Sequence, residues 1–327
     1  MEKFRTLVEI PESQEKVSYQ TPCLFIGSCF ANDIGQRMQV YKFPVLINPF
    51  GTLFNPASIS NDLMSLISGK SFTADDLTFH DGMWFSFSHY TGFDRSDRQA
   101  CLDAINHSLS EASAWLKQCR YLVITFGTAW TFTHIKTGKR VANCHKLPAE
   151  EFTRELMDPA EITGIYSSLL NALRQLNPGI RVIFTVSPVR HWKDGAVNNQ
   201  VSKSVLLLSI QRLLNTTDHI LYFPAYEIFM DELRDYRFYA ADMMHPSEQG
   251  TDYVWERFCD AFLDGDSKNI LAGVAAIVKA VSHRTRQTDS PNMKRFIEAT
   301  LKQIDQLTQS NPFLDFSREI ELLRGRL

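Results

Sequence analysis

The sequence predicts an α/β fold, an open sheet of five parallel strands covered by helices on both faces and followed by a C-terminal helical extension. Two observations carry that prediction. Short runs rich in β-branched and aromatic residues alternate with longer stretches of helical period. Within the short runs the apolar residues are near-continuous rather than alternating, as in parallel strands covered on both sides.

The first strand is Leu24–Ile26, and it leads through Gly27-Ser28 into a helical pattern from Asn32 to Val40. The second is Val45–Ile47. The stretch from Pro49 to Asp97 is too long for one crossover and is rich in Phe, Ser, His and Trp, so it reads as an insertion over the active-site edge of the sheet. A helix follows, marked by the stripe Leu102, Ile105, Leu109, Ala112 and Leu116. The third strand is Tyr121–Phe126. Asp158 then caps a helix with Pro159 in its first turn, carrying Ile162, Tyr166, Leu169 and Leu173. Arg181–Ser187 is the fourth strand, a helix spans about 199–214, and Ile220–Ala225 is the fifth strand. Ser247 caps one more helix, with Tyr253, Val254 and Phe258 on it. Residues 1–265 therefore read as one unit. Residues 266–327 read as a helical extension, with a helix near Asn269–Ser282 and another opened by Ser290-Pro291 that carries Ile297, Leu301 and Ile304.

Composition excludes several function classes. A chain of 327 residues, 44% hydrophobic, buries a full core without metal or disulfide support. The net charge of −3 leaves no basic excess to neutralise a nucleic-acid backbone. Charges interrupt every apolar stretch of the first ten residues, unlike the uninterrupted core of a secretory leader. The run Ile270 to Val278 is far short of the ~20 residues that span a bilayer, so no membrane partner is expected. The six cysteines are scattered without a Cys-x-x-Cys pair and read as reduced thiols, with the cytoplasm as the expected compartment. Among His89, His145, His191 and His245 no His-x-x-x-His spacing supports a metal site. Neither metal nor other cofactor is expected.

In an open parallel sheet ligands bind beyond the carboxyl ends of the strands, so the residues after each strand belong together. They are Gly27-Ser28-Cys29, Asn48-Pro49-Phe50-Gly51, Gly127-Thr128, Pro188-Val189-Arg190-His191 and, after the fifth, Asp242-Met-Met-His245. Ser28 lies at a strand-to-helix turn, where an exposed hydroxyl meets helix-opening amides that stabilise an oxyanion. A serine needs an adjacent base. Asp242 and His245, three residues apart on one expected helical turn, offer that base and the carboxylate that orients it. Cys29 is a competing nucleophile, because helix N-termini lower thiol pKa, and a buried packing residue is the other reading of it. Trp84, Phe85, Phe87 and Tyr90 form either a sugar- or acyl-binding platform or core. Arg190 and Lys146 either hold an anionic substrate group or make surface ion pairs.

Phe25-Ile-Gly-Ser-Cys-Phe-Ala31 contains the signature of the GSCFA family of bacterial proteins, and the chain resembles that family over about residues 20–262. Asn48-Pro-Phe-Gly51, Asn143-Cys-His-Lys146, Ser187-Pro-Val-Arg-His191 and Tyr236-Arg-Phe-Tyr239 with Asp242-x-x-His245-Pro-Ser247 look like its recurring blocks. The family is grouped with the SGNH/GDSL hydrolases. The resemblance implies a three-layer α/β/α, flavodoxin-like fold and a Ser-His-Asp triad of Ser28, His245 and Asp242. The implied reaction is ester hydrolysis through an acyl-enzyme, on an O-acylated small molecule or carbohydrate.

Two departures stand out. Gly27 replaces the aspartate that usually precedes the serine, and Gly127-Thr-Ala-Trp130 lacks the asparagine of the Gly-x-Asn-Asp block that helps bind the oxyanion. Replacement donors or substrate contacts are expected among the Ser28 amide, Gly51, Asn48, Gly127, Thr128, Asn143, His145, Arg190 and His191. An acyltransferase with the same triad, and a binding protein on a degenerate hydrolase fold, are the alternatives.

Overall fold

The computed structural model describes residues 5–282 and 291–326. Ten strands run in chain order: β1 Cys23–Gly27, β2 Val45–Ile47, β3 Thr78–His80, β4 Met83–Phe85, β5 Tyr121–Phe126, β6 Trp130–His134, β7 Lys139–Val141, β8 Phe152–Leu156, β9 Arg181–Val186 and β10 Ile220–Tyr222. The helices are α1 Cys29–Val40, α2 Pro56–Ser68, α3 Arg98–Gln118, α4 Pro159–Leu176, α5 Gly195–Leu214, the single turn α6 Ala225–Glu227, α7 Glu248–Phe262, α8 Gly265–Ser282, α9 Pro291–Ser310 and α10 Ser317–Arg324.

The main sheet has the order β2-β1-β5-β9-β10, with every pair parallel. This is the flavodoxin-like order, and the chain reverses direction across the sheet between β1 and β5. One register row crosses it: Ile47, Phe25, Val123, Ile183 and Leu221. The period of two along each strand sends alternate residues to opposite layers. Leu24, Ile26, Leu122, Ile124, Val182 and Phe184 pack against α2, α3, α4 and α5 through Leu63, Ile105, Leu109, Tyr166, Leu169 and Leu206. Phe25, Val123 and Ile183 face the other way, onto Phe30 and Ile34 of α1 and Phe258 of α7. Val274 and Ile277 of α8, Ile297 and Ile304 of α9 and Leu323 of α10 belong to that second cluster, so the C-terminal helices share a core with the sheet. The result is three layers, as the sequence predicts.

The structure differs from the sequence reading in several places. The segment read as an insertion contributes a layer of the core: Asn55 caps α2 through the Ser58 amide, Pro56 fills its first turn, and Ile59, Leu63 and Leu66 are buried. Its later part, the β3–β4 hairpin, forms a separate two-stranded sheet. A three-stranded antiparallel sheet β7-β6-β8 occupies residues 130–156, where no strand is expected from the sequence. The helix Pro291–Ser310 begins on the expected proline, while Ser290 and the expected break lie outside the described residues. Among the described residues no helix is long and apolar enough to cross a membrane.

Candidate active site

The switch between β1 and β5 brings two glycine-ended strands side by side. Gly27 closes β1 with φ +135°, and a Cβ there would sit 2.1 Å from the Thr125 carbonyl oxygen, so only glycine fits. Ser28 follows in extended geometry and opens α1 as its N-cap. An N-cap serine normally accepts a bond from an amide in the first turn. Ser247 does so for α7, accepting from Gly250 at 3.2 Å. Ser28 does not: its residue is 1% exposed, and its Oγ is buried without a hydrogen-bond partner. Cys29 beside it is not activated, because burial pushes its thiol up to about 11.

Asp242 and His245 meet closely, though not on a helix. Met243 has φ +58° and Pro246 follows, which rules out a helical turn, and the segment forms a tight turn instead. The Asp242 Oδ1 accepts the amides of Met244 at 2.9 Å and His245 at 3.0 Å, and its Oδ2 lies 2.6 Å from the His245 Nδ1. The two amides and the imidazole hold the Asp242 carboxyl down at about 2. With Nδ1 facing the carboxylate, Nε2 is the ring nitrogen left to take a proton. The turn is anchored on one side by the Ala240 amide to the His245 carbonyl at 2.8 Å, and on the other by the Arg190 amide to the Met244 carbonyl at 3.4 Å. The His245 side chain is 46% exposed and lies within electrostatic reach of Asp33 in α1 and of His191. It makes no hydrogen bond to Ser28.

The expected oxyanion donors separate into those already engaged and those free. The Ser28 amide donates to the Thr125 carbonyl at 3.1 Å, the Gly51 amide to the Asn48 carbonyl at 2.7 Å, and the Gly127 and Thr128 amides both to the Phe54 carbonyl. The Thr128 hydroxyl pairs with Ser202. Asn143 accepts the His145 amide. His145 is buried and knotted into the hairpin region, its ring facing Asp94 and the carbonyls of Ser86 and His89. Asn48 remains. Its Oδ1 accepts the Gly27 amide at 2.8 Å, while its Nδ2 is buried with no partner. His191 borders the same glycine as Ser28: a Cβ built on Gly127 would be 3.3 Å from the Ser28 Cβ and 3.4 Å from the His191 Nε2. Burial, with Lys203 nearby, holds the His191 imidazole at about 4, so it is neutral at pH 7. Arg190 lies outside this cluster, in the wall of a cleft that Asp242 also lines.

Of the aromatic residues read as a platform or as core, Phe85 is core, Trp84 and Phe87 are half-buried, and Tyr90 is exposed. Phe85 is buried and stacks on His145, Phe87 packs edge-on against Phe85 and Phe152, and Trp84 lies beneath the Arg98 guanidinium. Among the described residues no group of three His, Cys, Asp or Glu side chains could hold a metal ion.

Sequence reasoning misses Lys203. It is fully buried, and its Nζ donates to the Gly127 carbonyl at 2.7 Å and the Ser187 carbonyl at 2.6 Å, bracing the ends of β5 and β9. Burial lowers its ammonium to about 7. One helical turn earlier, Asn199 accepts the His191 amide at 2.9 Å. A signal for both exists in the sequence: Asn199 and Lys203 fall on the same stripe as Leu206, Ile210 and Leu213, the buried face of α5.

A search of curated protein sequences finds no match. Solved structures similar to the chain include an acetyl xylan esterase, Est2A, from the rumen bacterium Butyrivibrio proteoclasticus. That likeness is 12% identical over 76% of this chain and 64% of that one, with a TM-score of 0.37. The chain thus spans less than two thirds of that relative's length. A carbohydrate esterase family 3 protein from Talaromyces cellulolyticus is 9% identical over 79% of this chain and 99% of that one, with a TM-score of 0.35. A family 3 carbohydrate esterase of Clostridium thermocellum is 10% identical over 78% of this chain and 100% of that one, with a TM-score of 0.34. Residues 274–327 match the family described as GSCFA domain protein, C-terminal domain. With the GSCFA family pattern matching residues 22–258, across the sheet, the Ser28 turn and the Asp242–His245 turn, the chain belongs to the GSCFA family.

Proposed function

We propose that the protein is a serine ester hydrolase acting on an O-acylated small molecule or carbohydrate. The observation that carries this reading is Ser28, a buried N-cap hydroxyl that caps nothing and has no partner, at the point where strand order reverses. A buried polar group left unpaired costs about 1–3 kcal/mol, and at a helix N-cap on the strand-order switch a reacting hydroxyl accounts for that cost.

In the proposed cycle the Ser28 oxygen attacks the acyl carbonyl carbon and its proton passes to the His245 Nε2. Asp242, ionised far below neutral pH, holds the ring and balances the imidazolium. The tetrahedral oxyanion receives a hydrogen bond from the Asn48 Nδ2, in place of the asparagine missing after Gly127. The neutral His191 supplies a second donor. His245 then returns the proton to the departing alcohol. Water attacks the acyl-enzyme with His245 again as base, and the acid leaves with Ser28 restored. Hydrogen bonds of this kind tighten when substrate binds, and the half-exposed His245 on its surface turn closes on Ser28 at that stage.

The missing Ser28–His245 hydrogen bond is the one observation that favours the alternative, a binding protein on a degenerate hydrolase fold. A fluorophosphonate probe separates the two. Labelling that maps to Ser28 and disappears in Ser28→Ala and His245→Ala supports the hydrolase. Absence of labelling, or acetyl-ester turnover untouched by both substitutions, rejects it.

A further inference from the structure

A cleft of about 590 Å³ opens beside the Asp242–His245 turn, walled by Arg190, Trp192, Tyr236, Tyr239, Met230 and Met243. That volume lies within the roughly 300–1,000 Å³ of small-molecule sites. Charge on its walls is answered in every case but one. Asp242 is held by two amides and His245. Asp235 accepts the Arg237 amide and lies 3.8 Å from the Arg237 guanidinium. Arg234 pairs with Asp231 at 2.9 Å. Arg190 has no carboxylate partner among the described residues; its guanidinium reaches the Met230 sulfur, at 3.6 Å, and hydrogen-bonds the Tyr239 side chain. A thioether is a weak acceptor and a phenol oxygen a neutral one, so the charge of the planar fork and its remaining donors are left for a ligand. Trp192 and Tyr236 are exposed on the same walls and offer flat faces of the kind that lie against a pyranose ring.

We propose that this cleft receives the non-acyl part of an anionic ester, an O-acylated sugar bearing a carboxylate or phosphate, and that Arg190 reads the anion through paired hydrogen bonds. This rests on the hydrolase reading above and names its substrate class. Arg190 is attached to the catalytic turn by its own amide, so an anion held there fixes the sugar relative to His245. A carboxylate or phosphate accepts two charge-assisted hydrogen bonds from such a fork in parallel.

The test has two arms. Turnover is compared for acetylated methyl glucuronide, acetylated glucose 6-phosphate and acetylated methyl glucoside, in the wild type, Arg190→Gln and Arg190→Lys. The anionic esters are expected to be preferred by about tenfold or more in kcat/KM. The preference should collapse to within about twofold in Arg190→Gln and survive in part in Arg190→Lys, which keeps charge but loses the fork. Because ratios are read within each protein, a partly unfolded variant does not imitate the result. The second arm measures binding of methyl glucuronide, glucose 6-phosphate and methyl glucoside by calorimetry, which needs no turnover. Equal binding of the three, or an anion preference unchanged in Arg190→Gln, overturns the proposal. Should no ester be hydrolysed at all, the hydrolase reading fails while the binding arm still judges the anion site.

Discussion

Asn48 accepts the Gly27 amide through Oδ1 at 2.8 Å, and that bond determines which end of its side chain is spare. Gly27 thereby orients a buried, unpartnered NH₂ next to the turn that carries Ser28. Asn48 has φ +43°, a left-handed conformation that asparagine tolerates better than most residues. The expected consequence is an Asn48→Asp enzyme that keeps the Gly27 contact and the shape but presents a carboxylate oxygen to the oxyanion. Its kcat on an acetyl ester should fall about 10²–10³-fold, with an unchanged circular-dichroism spectrum and little change in KM. A loss below about threefold would remove Asn48 from the oxyanion site.

The turn before Ser28 is built on Gly27, and its geometry leaves no room for a side chain. A Cβ 2.1 Å from the Thr125 carbonyl, added at a φ that other residues rarely adopt, must push β1 away from β5 at the centre of the sheet. Gly27→Ala should lose roughly 4 kcal/mol or more in urea unfolding, or fail to accumulate as folded protein. Gly138→Ala is a suitable control: the position also has positive φ, but no atom lies within 4 Å of the added Cβ. If Gly27→Ala is no less stable than Gly138→Ala, the close-approach argument is wrong.

How far the sequence discloses this architecture depends on whether a signal is local. β1, β5 and β9 are legible because both faces are covered, so their apolar runs are near-continuous. β6 and β8, Trp-Thr-Phe-Thr-His and Phe-Thr-Arg-Glu-Leu, mix polar with apolar residues and pair only with each other and with β7. Their stability is set by cross-strand neighbours that no window along the chain contains. The helix α2 carries a visible Asn55-Pro56 start, which a reading of residues 49–97 as one long insertion passes over. At the site, residue types at strand ends mark Ser28, Asn48, Asp242 and His245, whereas which amide is already engaged and which is spare depends on Phe54 and Thr125 arriving from elsewhere.

Lys203 ties the ends of β5 and β9 together, and its burial gives stability a pH dependence of defined sign. Its ammonium titrates at about 7 in the fold, against 10.5 for an ordinary lysine. Between those values the unfolded chain binds more protons than the folded one, so this group makes stability rise with pH from about 7 toward 10.5. Below pH 7 both states are protonated and the full cost of the buried charge is present. Lys203→Met removes the charge and both carbonyl contacts. Relative to the wild type it should therefore compare best near pH 6 and worst near pH 10 in denaturant unfolding. A difference between the two proteins that is flat across this range would show that Lys203 does not titrate there.

His89 gives the opposite end of the scale. It is fully buried, stacked on Phe50 and edged by Phe72 and Phe93, and neither ring nitrogen has a partner. Burial holds its imidazole at about 3, against 6.5 for an ordinary histidine, so the folded protein keeps it neutral while the unfolded chain protonates. The unfolded chain binds the extra proton between those values, and stability falls as pH drops through 6.5 toward 3. His89→Phe offers the same cage a ring with no unsatisfied nitrogen and no titration. The variant should match or exceed the wild type at pH 7.5, and its advantage should grow by about 1.4 kcal/mol one unit below 6.5, at pH 5.5. Thermal or urea unfolding at the two pH values measures this directly. An advantage that stays constant with pH would mean that His89 takes up its proton as readily in the fold as in the unfolded chain.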